Sequence, residues 1–330
     1  MTATEVGETM TEVIHSREEA ARRLDRSVVT IGNFDGMHRG HQAIFETAVR
    51  EASERGATSV GLTFEPHPEA YFSGGEGPAR LSPPPHKFEL MEACGIDVVV
   101  ALSFDASIAG ASPAAFVEEI LVDRLGAEHV VVGRDFRFGK GRAGDTDSLE
   151  QLGEPLGMTR TVEPSVEWRR EPISSTRIRE AIETGDVEAA EAMLGRPYRL
   201  SGVVVRGEQR GRKLGFPTAN IEPVEQAIPP SGVYVTTLGR AGRQHWQAIT
   251  NIGTRPTFDG DELTIETFVL DDDVEQEQLE LYDEDVELDV HQRLRGEEAF
   301  DSPEELVAQI ERDVEEARAY FEQEEGDGRQ

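Results

Sequence analysis

The chain has 330 residues and sets 33 Lys and Arg against 65 Asp and Glu, a formal charge of −32; a field of that sign repels a phosphate backbone and disfavours nucleic acid as a partner. Its length exceeds the size at which one core keeps growing, so two domains are expected. With 37% hydrophobic residues, gathered in strand-length blocks such as Val98-Val99-Val100, the sequence reads as folded rather than as a disordered polyanion.

Met1 to Glu12 is acidic where a signal peptide would be basic, and no apolar run approaches the roughly 20 residues of a membrane span. Cys94 is the one cysteine, which leaves no internal disulfide and no Cys-based zinc site. A cytoplasmic protein without a membrane partner is expected. Lys87, Lys140 and Lys213 are the only lysines, and acid excess with scarce Lys is the pattern of a halophile's surface, where salt screens carboxylate repulsion.

From about residue 27 to residue 195, short β-rich runs alternate with helical stretches. Strands are expected over Ser27 to Ile31, Thr58 to Phe64, Asp97 to Leu102 and His129 to Gly133. A helix over Gln42 to Arg55 is closed by Gly56, and a second over Ser175 to Thr184 has Ser or Thr at its start and Gly185 at its end. Strand and helix in alternation imply a Rossmann-like α/β domain with a parallel sheet. After Gly195-Arg196-Pro197 the pattern becomes short strands separated by Gly and Pro: Arg199 to Val205, Gly232 to Leu238, Trp246 to Asn251, Leu263 to Leu270 and Val286 to Leu294. That spacing favours a small closed or nearly closed antiparallel β-barrel. Ser302-Pro303-Glu304-Glu305 opens an amphipathic helix through about Glu322. Gln323 to Gln330 reads as a frayed tail, and the acidic stretch Asp271 to Glu287 as a solvated hairpin loop. The domains are drawn at 1–195 and 196–330, and no internal repeat is visible.

Gly32-Asn33-Phe34-Asp35-Gly36-Met37-His38-Arg39-Gly40-His41 follows an expected strand and opens an expected helix, where backbone N–H groups and the helix dipole converge on phosphates. Two histidines three apart, with Gly between them, can both donate to one polyphosphate. A surface pair or a metal-binding pair is the alternative, although a metal would want a third protein ligand nearby. The string resembles the His-x-Gly-His nucleotidyltransferases, and more closely the FMN adenylyltransferase module of bacterial FAD synthetases. The resemblance extends over Thr63-Phe64-Glu65-Pro66-His67-Pro68, Val132-Gly133-Arg134-Asp135-Phe136-Arg137-Phe138-Gly139-Lys140-Gly141 and Ile173-Ser174-Ser175-Thr176-Arg177-Ile178-Arg179. It implies that His38 and His41 hold the ATP triphosphate, that Ser175, Thr176 and Arg179 grip phosphates from the other side, and that Gly32, Asn33, Phe34 and Asp35 line the nucleotide. Asp135, Phe136, Phe138 and Gly139 would shape the flavin side. Taken alone, Ser-Ser-Thr is equally an ordinary helix cap.

Gly207-Glu208-Gln209-Arg210-Gly211-Arg212-Lys213-Leu214-Gly215-Phe216-Pro217-Thr218-Ala219-Asn220 combines glycines that expose N–H groups with three cations able to approach a polyphosphate. Its Pro-Thr-Ala-Asn ending resembles the signature of riboflavin kinases, as does Asn251-Ile252-Gly253-Thr254-Arg255-Pro256-Thr257-Phe258. By that resemblance Gly207, Arg210, Gly211, Arg212, Lys213 and Gly215 bind nucleotide, and Thr218 and Asn220 coordinate Mg²⁺-ATP, their hard oxygens suiting magnesium. Asn251 falls on the flavin side and Glu266 in the place of the catalytic carboxylate. The bland alternatives are a packed strand residue for Thr218 and an exposed strand residue for Glu266. Phe268 stands where that family usually carries His, and Asp272 where it usually carries Phe. Together the motifs resemble the bacterial bifunctional riboflavin kinase/FMN adenylyltransferase family over residues 13 to 322. The resemblance implies ATP as co-substrate and riboflavin, FMN and FAD as substrate and products, and leaves self-association open. The rival readings are a chain with one working site, and a nucleotide or flavin sensor without turnover.

Overall fold

The computed structural model describes residues 12–207, 215–240, 245–257, 260–271 and 281–327, and among them the side chains of 256–257, 260–261 and 327 are not described. By packing, the chain divides into two compact units, Met1–Ser175 and Thr176–Gln330.

The first unit is built on a six-stranded sheet of β1 (Glu12–Ile14), β2 (Ser27–Ile31), β3 (Thr58–Glu65), β4 (Val98–Ser103), β5 (Ala127–Gly133) and β6 (Thr159–Glu163), in the order β1-β4-β3-β2-β5-β6. All its pairings are parallel. Ser27-Val28-Val29-Thr30-Ile31 is buried along its whole length, the continuous β-branched run of a strand covered on both faces. From β2 the chain passes through α2 (Arg39–Arg55) to β3 on one side, while β5 flanks β2 on the other. The order reverses there, so the crevice beyond the carboxyl ends of β2 and β5 is the topological switch point where such sheets bind ligands.

Four helices matter for the site. α2 begins one turn earlier than the expected Gln42, because the His38 side chain caps it by accepting from the His41 N–H, and it stops at Gly56 with φ 63. α3 (Pro68–Ser73) is capped by His67, and α4 (Pro84–Ala93) buries His86, Lys87 and Met91. Farther on, α5 (Ala106–Gly110) is capped by Asp105. β1 and the short helix α1 (Arg17–Arg23) precede the first expected element, and a two-stranded ribbon of β7 (Glu167–Trp168) and β8 (Glu171–Pro172) follows β6.

The second unit opens with two helices, Ser175–Thr184 (from its second residue on) and Val187–Leu194. Next comes a closed barrel of β9 (Tyr198–Val205), β10 (Ala219–Pro223), β11 (Gly232–Arg240), β12 (His245–Thr257), β13 (Gly260–Val269) and β14 (Asp285–Gly296), in the order β10-β13-β12-β11-β14-β9. Every pairing is antiparallel, and β9 with β10 closes the ring. Inward positions alternate along each strand: Tyr198, Leu200 and Val204 on β9; Tyr234, Thr236 and Leu238 on β11; Ile265, Thr267 and Val269 on β13, all buried. A long helix, Pro303–Asp327, lays Ala317 and Phe321 against Val233, Val235 and Ile249 on the outer face.

Two expectations are corrected. Gln323 to Asp327 continue the helix instead of fraying, as a Gln-Glu-Glu run of good helix formers allows. Asp285 to Glu287 belong to β14 and not to the acidic loop, whose residues 272–280 lie outside the described residues. β10 was not anticipated. No helix among the described residues is long and apolar enough to cross a membrane.

Candidate active sites

In the first unit, the loop between β2 and α2 is shaped from within. A Cβ on Gly32 would stand 2.8 Å from the Phe34 ring, and Phe34 takes φ 51. The Phe34 ring is 1% exposed and packs edge-on against Phe45 and His41, centroids 4.8 and 5.3 Å apart. Phe34 therefore contributes backbone and packing to the loop. Asp35 is also turned inward: its carboxylate accepts from the Leu81 N–H at 3.0 Å and the Ser82 N–H at 3.0 Å. Its main-chain carbonyl accepts from Ser175 Oγ at 2.9 Å, so the hydroxyl expected to grip phosphate is tied to the loop between β2 and α2.

Above this frame the imidazoles of His38 and His41 stack, centroids 3.6 Å apart and planes at 17°. Burial, and then the neighbouring His38, hold the His41 pKa well below the usual histidine value. Two imidazolium rings in contact repel, so this arrangement favours a neutral His41. Its Nδ1 is buried with no hydrogen-bond partner, a polar atom that a ligand oxygen would satisfy. Gly40 permits the stack, because a Cβ there would already press on the His38 ring at 3.1 Å.

Asn33 meets His67 Nε2 at 2.9 Å through its side-chain amide. The amide atom placed there is Nδ2; because His67 Nδ1 accepts from the Glu69 N–H at 3.2 Å, Nε2 carries the proton and the flipped amide, offering its oxygen, is the fitting partner. Residues that sequence reasoning missed lie around this pair. One is Lys87, buried beneath the loop. Others are Tyr71 and Phe72, 39% and 69% exposed, which pack edge-on against Phe104 at 5.5 and 5.7 Å.

On the proposed flavin side, Asp135 is exposed and Phe136 half-buried. Phe138 is 5% exposed and packs on Phe116 and Phe136, centroids 5.7 and 5.5 Å apart. Gly139, at φ 71, leaves only 2.8 Å between a would-be Cβ and Pro113 N. Phe138 and Gly139 thus build the wall, and Phe136 and Asp135 are the side chains that reach its surface. On the helix Ser175–Thr184, Thr176 is exposed and Arg179 half-buried; Ile178, Ala181 and Ile182 anchor the helix.

In the second unit, strand register gathers residues far apart in sequence. Asn220 on β10 pairs with Glu266 on β13, and Glu266 pairs in turn with Asn251 on β12. The three form one row across three strands, on the outer face, because the flanking Ile265 and Thr267 are buried inside the barrel. A Cβ on Gly207 would lie 2.3 Å from the Asn220 amide, so Gly207 lets the chain leaving β9 pass close against that side chain. Thr218 is half-buried, two residues ahead of Asn220. Gly215 has φ 91, and the next residue, Phe216, stands edge-on to Phe268 with centroids 5.4 Å apart. Phe268, a departure from the family pattern, holds the returning loop on the same face as Glu266. The row continues through Val233 to Arg295, which Asp313 of the long helix engages at 2.7 Å. Arg210, Gly211, Arg212, Lys213, Phe258 and Asp272 lie outside the described residues.

Among the described residues no group of three or more His, Cys, Asp or Glu is placed to hold a metal ion. The oxygens of Thr218 and Asn220 fit a magnesium ion that keeps water and substrate phosphates as its other ligands.

Comparison with known proteins separates the two units in the same way. A family model described as FAD synthetase matches residues 20–177, and one described as riboflavin kinase matches residues 194–321. A crystal structure described as a macrolide-efflux protein from Streptococcus pneumoniae is 30% identical, with a TM-score of 0.83 over 94% of this chain and 99% of that one. The bifunctional riboflavin kinase/FMN adenylyltransferase of Pseudomonas fluorescens is 41% identical over 88% of this chain and 92% of its own. That of Escherichia coli K12 is 36% identical over 93% and 96%. Likeness of this degree runs through both units and nearly the whole length of each relative, so the chain belongs to the bifunctional riboflavin kinase/FMN adenylyltransferase family.

Proposed function

We propose that this chain phosphorylates riboflavin to FMN with ATP, and then adenylylates FMN to FAD with a second ATP, releasing pyrophosphate. The observation that carries the reading is that one chain holds both the stacked His38 and His41 at a parallel-sheet switch point and the Asn220, Glu266 and Asn251 row on a barrel.

In adenylylation the FMN phosphate, already ionised at pH 7, attacks the ATP α-phosphorus; the new O–P bond forms as the bond to pyrophosphate breaks, and no general base is needed. The protein's task is alignment and neutralisation of charge. His38 and His41 supply the neutralisation, Ser175 braces their loop through the Asp35 carbonyl, and Asn33 and Gly32 shape the nucleotide loop; the family resemblance adds Thr176 and Arg179 as phosphate contacts. Phe136, Asp135 and the exposed Phe72 offer the flavin a flat apolar edge and a polar one. In the kinase reaction Glu266 takes the proton of the riboflavin 5′-hydroxyl as that oxygen attacks the ATP γ-phosphorus and ADP departs. Thr218 and Asn220 hold Mg²⁺-ATP, Asn251 orients the flavin, and Gly207, Arg210, Gly211, Arg212, Lys213 and Gly215 form the nucleotide loop. Bound magnesium supplies charge neutralisation of the phosphates.

The functional domains are drawn at 195/196; the first family match ends at 177 and the second begins at 194, which supports a division near the start of the second match. The single cysteine and the acid-rich, lysine-poor composition support a cytoplasmic, salt-adapted protein. Incubation of the purified chain with riboflavin, ATP and magnesium, followed by chromatography, tests the whole reading: FMN followed by FAD is expected. FMN alone would leave a kinase only, and no product would leave a sensor.

A further inference from the structure

Lys87 is a buried cation that neither proposed reaction uses. α4 carries it beneath the phosphate loop, 4% exposed. There Nζ meets the Glu65 carboxylate and lies 3.4 Å from Thr63 Oγ1 and 3.5 Å from the Asn33 carbonyl. Thr63 Oγ1 donates to that same carbonyl at 3.2 Å. Two donors thus fix the main chain of the residue whose side chain engages His67. Arg80 reaches the Glu65 carboxylate from the other side at 2.9 Å. Asp35, 7% exposed, adds a second carboxylate whose field acts on Lys87.

Lys87 and Arg80 therefore balance Glu65 and Asp35, and the floor under the loop carries no net charge. Burial pushes the Lys87 ammonium down, and Glu65 and then Asp35 push it back up. Removing Lys87 would leave two carboxylates against Arg80 alone, in a chain whose net charge is already −32. Salt screens such interior charges poorly.

We propose that Lys87 is a positioning residue of the adenylylation site: it holds the Asn33 carbonyl and cancels the carboxylates behind the loop, so that the ATP triphosphate approaches a neutral floor. This rests on the reading of the His38 and His41 loop as the triphosphate site.

Charge restoration tests it in the full-length chain. Lys87→Met keeps an apolar stem and removes the charge; the KM for ATP in FAD formation from FMN should rise about tenfold or more, with riboflavin phosphorylation unchanged. Adding Glu65→Gln restores neutrality and should return the KM to within about threefold of wild type. Glu65→Gln alone leaves the floor net positive and should not raise the KM. The proposal is overturned if Lys87→Met leaves the KM for ATP unchanged, if the double variant is no better than the single, or if Glu65→Gln alone weakens ATP as much as Lys87→Met does. Where Lys87→Met fails to fold, Glu65→Gln alone decides: a KM for ATP that rises about tenfold or more overturns the proposal, and one that does not rise supports it. His38→Ala with His41→Ala runs in the same assay: if that variant still makes FAD normally, it is the triphosphate reading that has failed.

Discussion

His38 and His41 stand face to face, ring centroids 3.6 Å apart, on a loop whose inner side is wholly taken up by Phe34, Asp35 and Asn33. Those side chains are committed to packing and to hydrogen bonds, and the polyphosphate is assigned to the two imidazoles, of which His38 also caps α2. Replacing both by Ala should abolish FAD formation from FMN and spare FMN formation from riboflavin, because the kinase row lies in the other unit. Each lost charge-stabilising contact should cost about 2 to 4 kcal/mol at the transition state. A double variant that makes FAD at near wild-type rate would show that the triphosphate binds elsewhere.

Burial and His38 hold His41 in its neutral form, and a bound triphosphate favours the protonated one. ATP binding should therefore take up protons near neutral pH, which calorimetry in buffers of different ionisation enthalpy measures; His41→Asn should lose that uptake. The sign for the free protein is opposite. A histidine whose folded pKa lies below the ordinary value of 6.5 contributes stability that is present above about pH 6.5 and lost as pH falls toward the folded pKa. His129 and His291 are depressed in the same direction. Melting temperatures of the wild type should thus fall more between pH 7 and pH 5.5 than those of His41→Asn.

Gly207→Ala should disable the kinase without unfolding the chain. The added methyl would stand 2.3 Å from the Asn220 amide, and that amide can swing aside, so the cost falls on the proposed metal ligand and not on the backbone. FMN formation should drop by at least tenfold at an unchanged melting temperature, with FAD formation from supplied FMN intact. Full kinase activity in Gly207→Ala would mean that Asn220 can move without consequence and does not hold the metal.

Where chemistry was carried by contiguous residues, the sequence sufficed. The β2 loop, the helix Ser175–Thr184 and five of the six barrel strands were readable because local periodicity and turn residues define them. What escaped is long-range. Asp35 reads as a nucleotide-loop carboxylate, and only the fold brings Leu81 and Ser82, more than forty residues on, to occupy it. Phe138 reads as a flavin contact but fills the core. β10 was hidden because Pro217 and Pro223 bracket it as turn signals, although pairing to both β9 and β13 makes it a strand. Lys87 registered only as one of three lysines, since nothing local marks it as buried.

Net charge predicts a salt response. With 65 acidic residues against 33 basic ones, and many of the acids exposed along the last helix and the barrel rim, self-repulsion is relieved as the Debye length shrinks. The melting temperature should rise from low salt to molar potassium chloride. A temperature that is unchanged or lower would remove the salt-adapted reading and leave the enzymology untouched.

Glu266 is the most exposed of these assignments, since one carboxylate must act as the base in a strand that departs from its family at Phe268. Its setting supports the role: on the outer face of the barrel it is paired in register with the amide residues Asn220 on one side and Asn251 on the other. Glu266→Gln keeps the size and an acceptor but removes the basic site, so riboflavin phosphorylation should fall roughly 10² to 10⁴-fold. ATP binding should change little, and adenylylation of supplied FMN should persist, because the histidine loop lies in the other unit. Normal phosphorylation by Glu266→Gln would transfer the whole burden to magnesium and the Thr218 and Asn220 pair. Collapse of both activities together, at an unchanged melting temperature, would mean that the two sites are coupled more tightly than their separate folds require.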